Sequence, residues 1–454
     1  MGSNSLWLND KTQTYPQLTQ DTTCDAAVIG GGIAGLSAAY YLARAGLQTV
    51  LLEANTIGRG TTGHTTAHVT SQHDMTYARW IKRFGMETAR LIASANEEAI
   101  MEICRITREE GIDCDFEWKD ACLFTRKKEK IKDIEEENAA AKSLGIESHM
   151  GSNETFILKY EAALRFENQA QFHPVKYIRG LAAAAAKRGC GIYEQSRVLR
   201  FEGDRLYTGK ACVRAAHIVM ATHNPVINFP GMYFAKMYQH RAYCMAFENA
   251  PAIGGMWLSI DPGGHSYRMY KDMLVLSGED HKCGAQAAVP HYENIKKFGE
   301  RIAGKDVRPV YQWSAQDGIT LDNLPYIGRY SQGSKGLYVI TGFGKWGMTQ
   351  SNFAGRIIRD VILELPNPYA DVFSPQRKLV PIGYWNALYT NVSTLGHLAF
   401  GFLRFGPPLC AHMKCRLKWN EDDGTWDCPC HGSRFTKDGK VIDTPAIHGL
   451  KRED

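Results

Sequence analysis

Three glycines, Gly30, Gly32 and Gly35, constrain the chain more than any other feature. They have the spacing G-x-G-x-x-G and sit between two recognisable pieces. Before them runs Asp25-Ala-Ala-Val-Ile-Gly30, a short apolar stretch with a β-branched pair. After them Ala34 to Ala45 is helix-forming, apolar on one side, and stopped by Gly46. The first glycine permits a tight turn, the second lets backbone approach a pyrophosphate, and the third lets helix and strand pack closely. The helix then turns free N–H groups and its positive dipole end toward phosphates. Leu47 to Glu53 reads as the next strand, and Glu53, 18 residues after Gly35, offers a carboxylate to adenosine ribose hydroxyls. With strand, helix and acid in place, the pattern predicts a dinucleotide site.

The chain has 454 residues, enough for two to four domains at roughly 100–200 residues each. Its 44% hydrophobic and 22% charged residues are ordinary for a globular protein and exclude a disordered or collagen-like chain. A net charge of 53 − 48 = +5, dispersed along the chain, argues against nucleic acid as a partner. The start, MGSNSLWLND, has neither the basic nor the apolar region of a signal peptide, and Leu6 stands where myristoylation needs Ser or Thr. No apolar run approaches the roughly 20 residues of a membrane span. The longest, around Leu398 to Leu403, is short and edged by Arg404. The expectation is a cytoplasmic protein without a membrane span. Of twelve cysteines, eight are scattered from Cys24 to Cys283 and read as small buried hydrophobes. Four crowd into the tail at Cys410, Cys415, Cys428 and Cys430, which asks for a chemical reason.

Along the chain, residues 75 to 190 read as mostly helical. They include the charge run Arg126 to Asn138 as a solvated helix face and a helix over Leu181 to Lys187, ended near Gly189. Strands and turns follow to about 345, then a helix from Gln350 to Glu364, ended by Pro366. Residues 365–409 read as a linker, and the tail from about 405 as a separate unit. No internal repeat is visible.

Further pieces decide which dinucleotide. Gly58-Arg-Gly-Thr-Thr-Gly-His-Thr-Thr-Ala-His68 is a small, hydroxyl-rich loop able to follow a flavin's phosphates and ring edge. Ala215 to Asn224 is a strand ending in Ala221-Thr222-His223, and Trp313 to Gly328 leads into Gly336 to Thr349 with a second glycine-rich turn. Together these resemble the FAD-dependent amine and amino-acid oxidoreductases of the D-amino-acid oxidase superfamily, over about residues 20–365. The resemblance implies an α/β fold: a Rossmann-like FAD-binding domain of the glutathione-reductase type with an interleaved α+β substrate domain. The oxidoreductase part would span 1–375, with FAD-binding parts at about 20–75, 170–225 and 315–365 and substrate parts at about 75–170 and 225–315. It implies that Ile33, Ala34 and Ala54 line the FAD site beside the glycines and Glu53. Gly60, Thr61, Thr62, His64, Thr65 and Thr66 would follow the cofactor, with Val198 at the adenine half and Ala221 and Thr222 on the returning strand. Gly342, Lys345, Trp346, Gly347, Met348 and Thr349 would sit over the flavin, the next helix aiming its N-terminus at the flavin C2 carbonyl. Candidate catalytic residues are Arg268, Trp346 and His64. Each has a plainer alternative: a surface arginine, core packing, a structural hydrogen bond. Lys345 carries the same ambiguity as Arg268, and Arg241 is a second candidate for a substrate carboxylate. His64, His68 and His73 are spaced too irregularly for a metal site.

In the tail, Cys410-Ala-His412 and Cys428-Pro-Cys-His431 are separated by the fifteen residues 413–427. Two thiolates for one iron and two imidazoles for the other suit a Rieske [2Fe–2S] centre. The alternative is zinc, whose fingers usually show C-x2–4-C and H-x3–5-H instead. The resemblance to Rieske domains implies a Cys415–Cys430 disulfide and a Ser433 hydroxyl able to donate to a bridging sulfide. The whole arrangement resembles a bacterial family of FAD-dependent Rieske oxidoreductases. Residues 376–404 would be the linker and 405–454 a small β-rich cluster-binding unit. At about 50 residues the tail is short, and 380–409 do not read as the usual basal strands. Its loops are therefore expected to rest on the flavin domain or on a degraded base.

The expected function is dehydrogenation of a small amine or amino acid by hydride transfer to FAD. Electrons would pass through the cluster to an external acceptor, a protein or quinone, or flow in the reverse direction. Two other readings stay open: a redox sensor or electron-transfer flavoprotein, and a plain amine oxidase with a non-functional or zinc-binding tail.

Overall fold

The computed structural model describes residues 4–9, 14–151, 158–285, 290–381, 383–388, 391, 392, 394 and 408–450. Its first sheet is built on the strand Thr22–Ile29. Parallel neighbours Cys212–Met220 and Thr49–Leu52 flank it, with Gly191–Tyr193 beyond one and Leu337–Thr341 then antiparallel Tyr326–Arg329 beyond the other. A small hairpin, Arg200–Glu202 with Arg205–Tyr207, brings this sheet to eight strands. Its central strands become continuous buried apolar runs at Ala26–Ile29, Val50–Leu52 and Ile218–Met220, where both faces are covered. The helix Ile33–Arg44 is buried from Ile33 to Ala43. The helix Gly347–Ile362 packs against it so closely that a Cβ at Gly355 would lie 2.6 Å from Ser37 Oγ. A Cβ at Gly35 would lie 1.9 Å from the Gly30 carbonyl oxygen, so the turn closes only with glycine there.

The second sheet has nine strands. From one edge they run Arg308–Thr320, Met237–Glu248, Met273–Lys282, Ser266–Tyr270, Met256–Ser259, Glu117–Thr125, Ala162–Gln171 and His68–Val69, with Ser148–Met150 beside Ala162–Gln171. Two distant stretches of chain interleave here, joined by the parallel pair Met256–Ser259 and Glu117–Thr125. The mostly helical expectation for 75–190 is corrected at 117–125, 148–150 and 162–171. Ala121 to Thr125 is fully buried, and a buried apolar run of that length has no period to separate strand from helix. The charge run is a 3-10 turn, Lys128–Lys130, followed by the helix Ile131–Ser143. One of its acids is not solvated: buried Glu137 accepts from the N–H groups of Thr76 and Tyr77 (2.7 Å each) and Ala78 (3.1 Å), capping the helix Tyr77–Phe84. The helix expected from Leu181 begins at Pro174, where His173 caps it and proline sits in the first turn. The stretch read as a linker contains a short helix, Ala370–Phe373, and helical residues from 381 to 394.

The tail forms a four-stranded antiparallel sheet, Lys418–Asn420, Thr425–Asp427, Arg434–Phe435 and Val441–Asp443. Its core is small: Leu417, Phe435, Ala446 and four cysteines, Cys410, Cys415, Cys428 and Cys430. So small a core leans on its neighbour. The tail rests on one face of the strands Met237–Glu248 and Arg308–Thr320, with Gly284 so close to Pro429 that a Cβ would lie 2.6 Å from its Cα. A buried ion network pins the contact. Arg241 meets Asp423 at 2.8 Å and Asp427 at 3.1 Å, and Arg434 meets Asp423 at 2.8 Å. Among the described residues, no helix is long and apolar enough to cross a membrane.

Candidate active site

A cavity of about 750 Å³ opens between the two large sheets and the tail. One wall is the glycine turn, with Gly30, Gly32, Ile33 and Ala34 backed by Glu53 and Ala54. Gly30 has φ +111° and no room for a Cβ, which would lie 2.4 Å from Ala221 O. The Glu53 carboxylate accepts from Gly31 N (2.6 Å) and Asn55 N (2.7 Å). Burial raises its pKa and those two N–H groups act against the rise. Val198 closes the same end beside Arg197. Gly35 lies outside the cavity and serves the packing of the turn.

The second wall is Gly60, Thr61, Thr62, His64 and Thr65. Thr62 Oγ1 accepts from Ile33 N at 3.0 Å, and His64 Nδ1 meets Gly60 O at 2.9 Å. Thr66 does not line the cavity. The loop's carbonyls are gripped from behind by residues that sequence reasoning missed. Ser5 Oγ donates to Gly63 O (2.5 Å), Trp313 Nε1 to His64 O (3.0 Å) and Trp7 Nε1 to Thr65 O (2.6 Å). Trp7 is fully buried. A lone tryptophan in a polar terminus was the only signal that could have marked it.

The third wall is Ala221, Thr222, Gly342, Lys345, Gly347 and Met348. The helix Gly347–Ile362 thus opens its N-terminus into the cavity. Trp346 and Thr349 stand behind this wall. Trp346 stacks on His73 (centroids 4.6 Å apart, 15°), and the Thr349 hydroxyl donates to Thr70 O at 2.9 Å. Lys345, at φ +81°, forms an ion pair with Asp280 at 2.5 Å.

Arg268 is not brought to this cavity. It is fully buried, donates to Phe172 O at 3.3 Å and lies 5.1 Å over the Trp7 ring, and burial lowers its pKa to about 9. A strand position inside the sheet, covered by the N-terminal turn, displaces both readings made for it: neither substrate-facing nor surface. Arg241 is committed to the tail's carboxylates. The polar end of the cavity is made instead by His223, Gln316, Asp317 and Lys345, and the tail adds Asp423, Thr425, Arg434, Asp443 and Thr444. Burial raises the Asp317 carboxyl, with Lys345 and His223 opposing it.

In the tail, Cys410 and Cys428 are buried free thiols, and the His412 and His431 rings stand 5.1 Å apart. A disulfide joins Cys415 to Cys430 across the two loops. The hydrogen bond from Cys428 lowers the Cys410 pKa to about 7 against the effect of burial. Burial keeps both imidazoles neutral, lowering His412 to about 4 and His431 to about 3. His412 Nε2 meets Asn228 Oδ1 at 2.8 Å, which leaves Nδ1. That Nδ1 and both nitrogens of His431 are buried without a hydrogen-bond partner among the described residues. Buried, unpaired imidazole nitrogens are costly, and ligation by a metal centre removes the cost. Ser433 Oγ accepts from Ala446 N at 3.0 Å, and the hydroxyl hydrogen-bonds to Cys410. The residues present therefore fit both groups: FAD in the cradle, and a [2Fe–2S] cluster on Cys410, His412, Cys428 and His431.

Fold and site define a flavoprotein oxidoreductase that carries a Rieske centre. Comparison agrees over both parts: residues 25–361 match the FAD dependent oxidoreductase family and residues 404–452 the Rieske [2Fe-2S] domain. The chain belongs to the FAD-dependent oxidoreductase family of the amine and amino-acid oxidase type, with a C-terminal Rieske domain. It is 36% identical to the putative Rieske 2Fe-2S iron-sulfur protein YhfW of Bacillus subtilis, over 97% of this chain and 95% of that one. It is 25% identical to gamma-glutamylputrescine oxidoreductase of Escherichia coli, over 78% and 87% of the two chains. In fold it is similar to glycine oxidase from Geobacillus kaustophilus, with TM-score 0.68 and 18% identity over 79% of this chain and all of that one.

Proposed function

We propose that this protein dehydrogenates a small amine or amino acid and passes the electrons, through its tail, to an external protein or quinone. FAD when bound accepts hydride from the substrate carbon, and a Rieske cluster carries electrons one at a time. The observation that carries the reading is the shared cavity wall. Asp423, Thr425, Arg434 and Asp443 of the cluster-binding unit line the same space as Gly30, Thr62 and Gly342. An oxidase that handed its electrons to oxygen would have no use for such a wall.

The chain's own residues supply the rest. Asp317 places a carboxylate at the polar end of the cavity, suited to hold a substrate ammonium group. The Asp280 carboxylate holds Lys345 in the turn above it. The tail covers that end and limits entry of water. An amine substrate also fits the name of the Escherichia coli relative, whose substrate is an amine conjugate. The eight scattered cysteines are unpaired thiols, which fits a cytoplasmic setting.

The test is anaerobic mixing of the FAD-loaded protein with a panel of amines and amino acids, following bleaching of the flavin absorbance. The expected result is bleaching by a subset of amines, with Asp317→Asn raising KM for them. No bleaching by any member would overturn the reading in favour of a sensor.

A further inference from the structure

The segment between the oxidoreductase body and the tail is built inside out. Its described helical residues are 381, 383–388, 391, 392 and 394. Asparagines face the protein: Asn386 Nδ2 donates to Leu321 O (2.7 Å) and Asn391 Nδ2 to Ala235 O (3.1 Å). Apolar side chains face out. Tyr384, Trp385, Leu388 and Val392 are 63, 70, 57 and 59% exposed. Residues 384, 388 and 392 follow one another at i, i+4 spacing and 385 stands beside them, so the four form one stripe. A helix facing water shows the opposite arrangement, and a contiguous apolar face of this kind marks an interaction site.

The Asn391 hydrogen bond ties this segment to the body beside the cluster loops. Ala235, which holds Asn391, ends the loop that carries Phe229 and Met232, 67 and 44% exposed. That loop touches both imidazoles: Asn228 bonds His412, and the Phe234 ring lies 5.6 Å from His431.

Charge identifies the occupant. From Val372 to Asn420 there is no Asp or Glu, while Lys and Arg stand at Arg377, Lys378, Arg404, Lys414, Arg416 and Lys418. Arg377 is committed to Asp322 (2.7 Å), but Lys378 and Lys414 are exposed. An aromatic and aliphatic stripe with Trp and Tyr, set in basic, acid-free sequence, has the chemistry of an anionic membrane surface.

We propose that this face docks onto an anionic lipid bilayer, the helix lying in the interface without crossing it and the His412 and His431 side of the molecule turned toward the lipid. The inference does not depend on the substrate or on the direction of electron flow. A second copy of the chain would bury the apolar stripe equally well, but would bring two basic flanks together.

The test is co-sedimentation of the full chain, loaded with FAD and iron, with vesicles of phosphatidylcholine alone or mixed with phosphatidylglycerol. The expected result is binding to the phosphatidylglycerol vesicles that weakens as salt is raised. The variant Y384S/W385S/L388S/V392S should lose at least about tenfold in bound fraction while keeping its flavin and melting temperature. Wild type left in the supernatant with every vesicle would overturn the proposal, and so would a variant that binds as well as wild type. A lipid-free dimer that the substitutions split would also overturn it, assigning the face to a second copy.

Discussion

The carbonyl oxygen of Gly432 accepts a hydrogen bond from Nε2 of Gln316 at 2.7 Å. Gly432 follows His431 in the cluster-binding loop, and Gln316 lines the flavin cavity. One hydrogen bond therefore ties the two redox sites together. Gly432 has φ +77°, and a Cβ there would lie 2.4 Å from Gln239 Cγ and 2.7 Å from Gln316 Nε2.

Gly432→Ala should therefore lift the tail from its seat. Both the left-handed backbone and the close approach exclude a side chain. Flavin content and flavin reduction by substrate should remain, while reduction of an external acceptor falls. Stopped-flow measurement of the two steps separates them. Equal loss of both would show that the loop serves the cavity alone.

Gly35→Ala should abolish FAD binding, because its Cβ would meet the Gly30 carbonyl at 1.9 Å and force helix from strand. Gly209→Ala is the control: Gly209 lies outside the cavity and a Cβ there meets nothing within 4 Å. Flavin-to-protein ratios of the two purified variants are the readout.

Removing one member of the buried ion network should be expensive. Arg241→Leu leaves Asp423 and Asp427 with Arg434 as their one cation among the described residues and should cost about 3–5 kcal/mol in denaturant unfolding. The same network predicts an acid limit. Burial pushes the Asp423 carboxyl up, but the Arg434 and Arg241 guanidiniums, with hydrogen bonds from Ser314 and Tyr292, bring its pKa below the usual value. A carboxylate depressed in the folded state contributes stability above its unfolded pKa of about 4 and loses it as pH falls through the folded value. Stability of the wild type should drop in that window, and Asp423→Asn should flatten the drop.

Trp7→Ala should weaken flavin binding and cost about 3–5 kcal/mol of stability, the usual range for emptying a buried tryptophan site. Trp7→Phe keeps much of the packing but leaves Thr65 O without its donor, costing about 1–3 kcal/mol. Thermal melts with and without added FAD distinguish loss of packing from loss of the loop's grip.

Local sequence carries the glycine turn, the returning strand and the cluster ligands because each depends on residue types at fixed spacing. Gly30, Gly32 and Gly35 announce their backbone requirement, and Cys410-x-His412 announces its chemistry. The strand at 117–125 was illegible because burial of Ala121 to Thr125 on both faces erases the alternation that distinguishes strand from helix. Arg268 misled because an arginine carries no mark of whether it faces a cavity or a tryptophan. Trp7, Gln316 and Asp423 were invisible for another reason. Their partners Thr65, Gly432 and Arg241 lie 58, 116 and 182 residues away, beyond anything that spacing can report.

The most direct test of a flavin and a cluster working as one system is anaerobic. Iron and flavin are quantified in the purified protein, which is then mixed with a reducing amine substrate and examined by EPR. Two irons per flavin are expected, with a Rieske-type signal that appears on adding the amine alone. Cys428→Ser should keep the flavin and lose both iron and signal. A flavin that bleaches while an intact cluster stays silent would contradict the account.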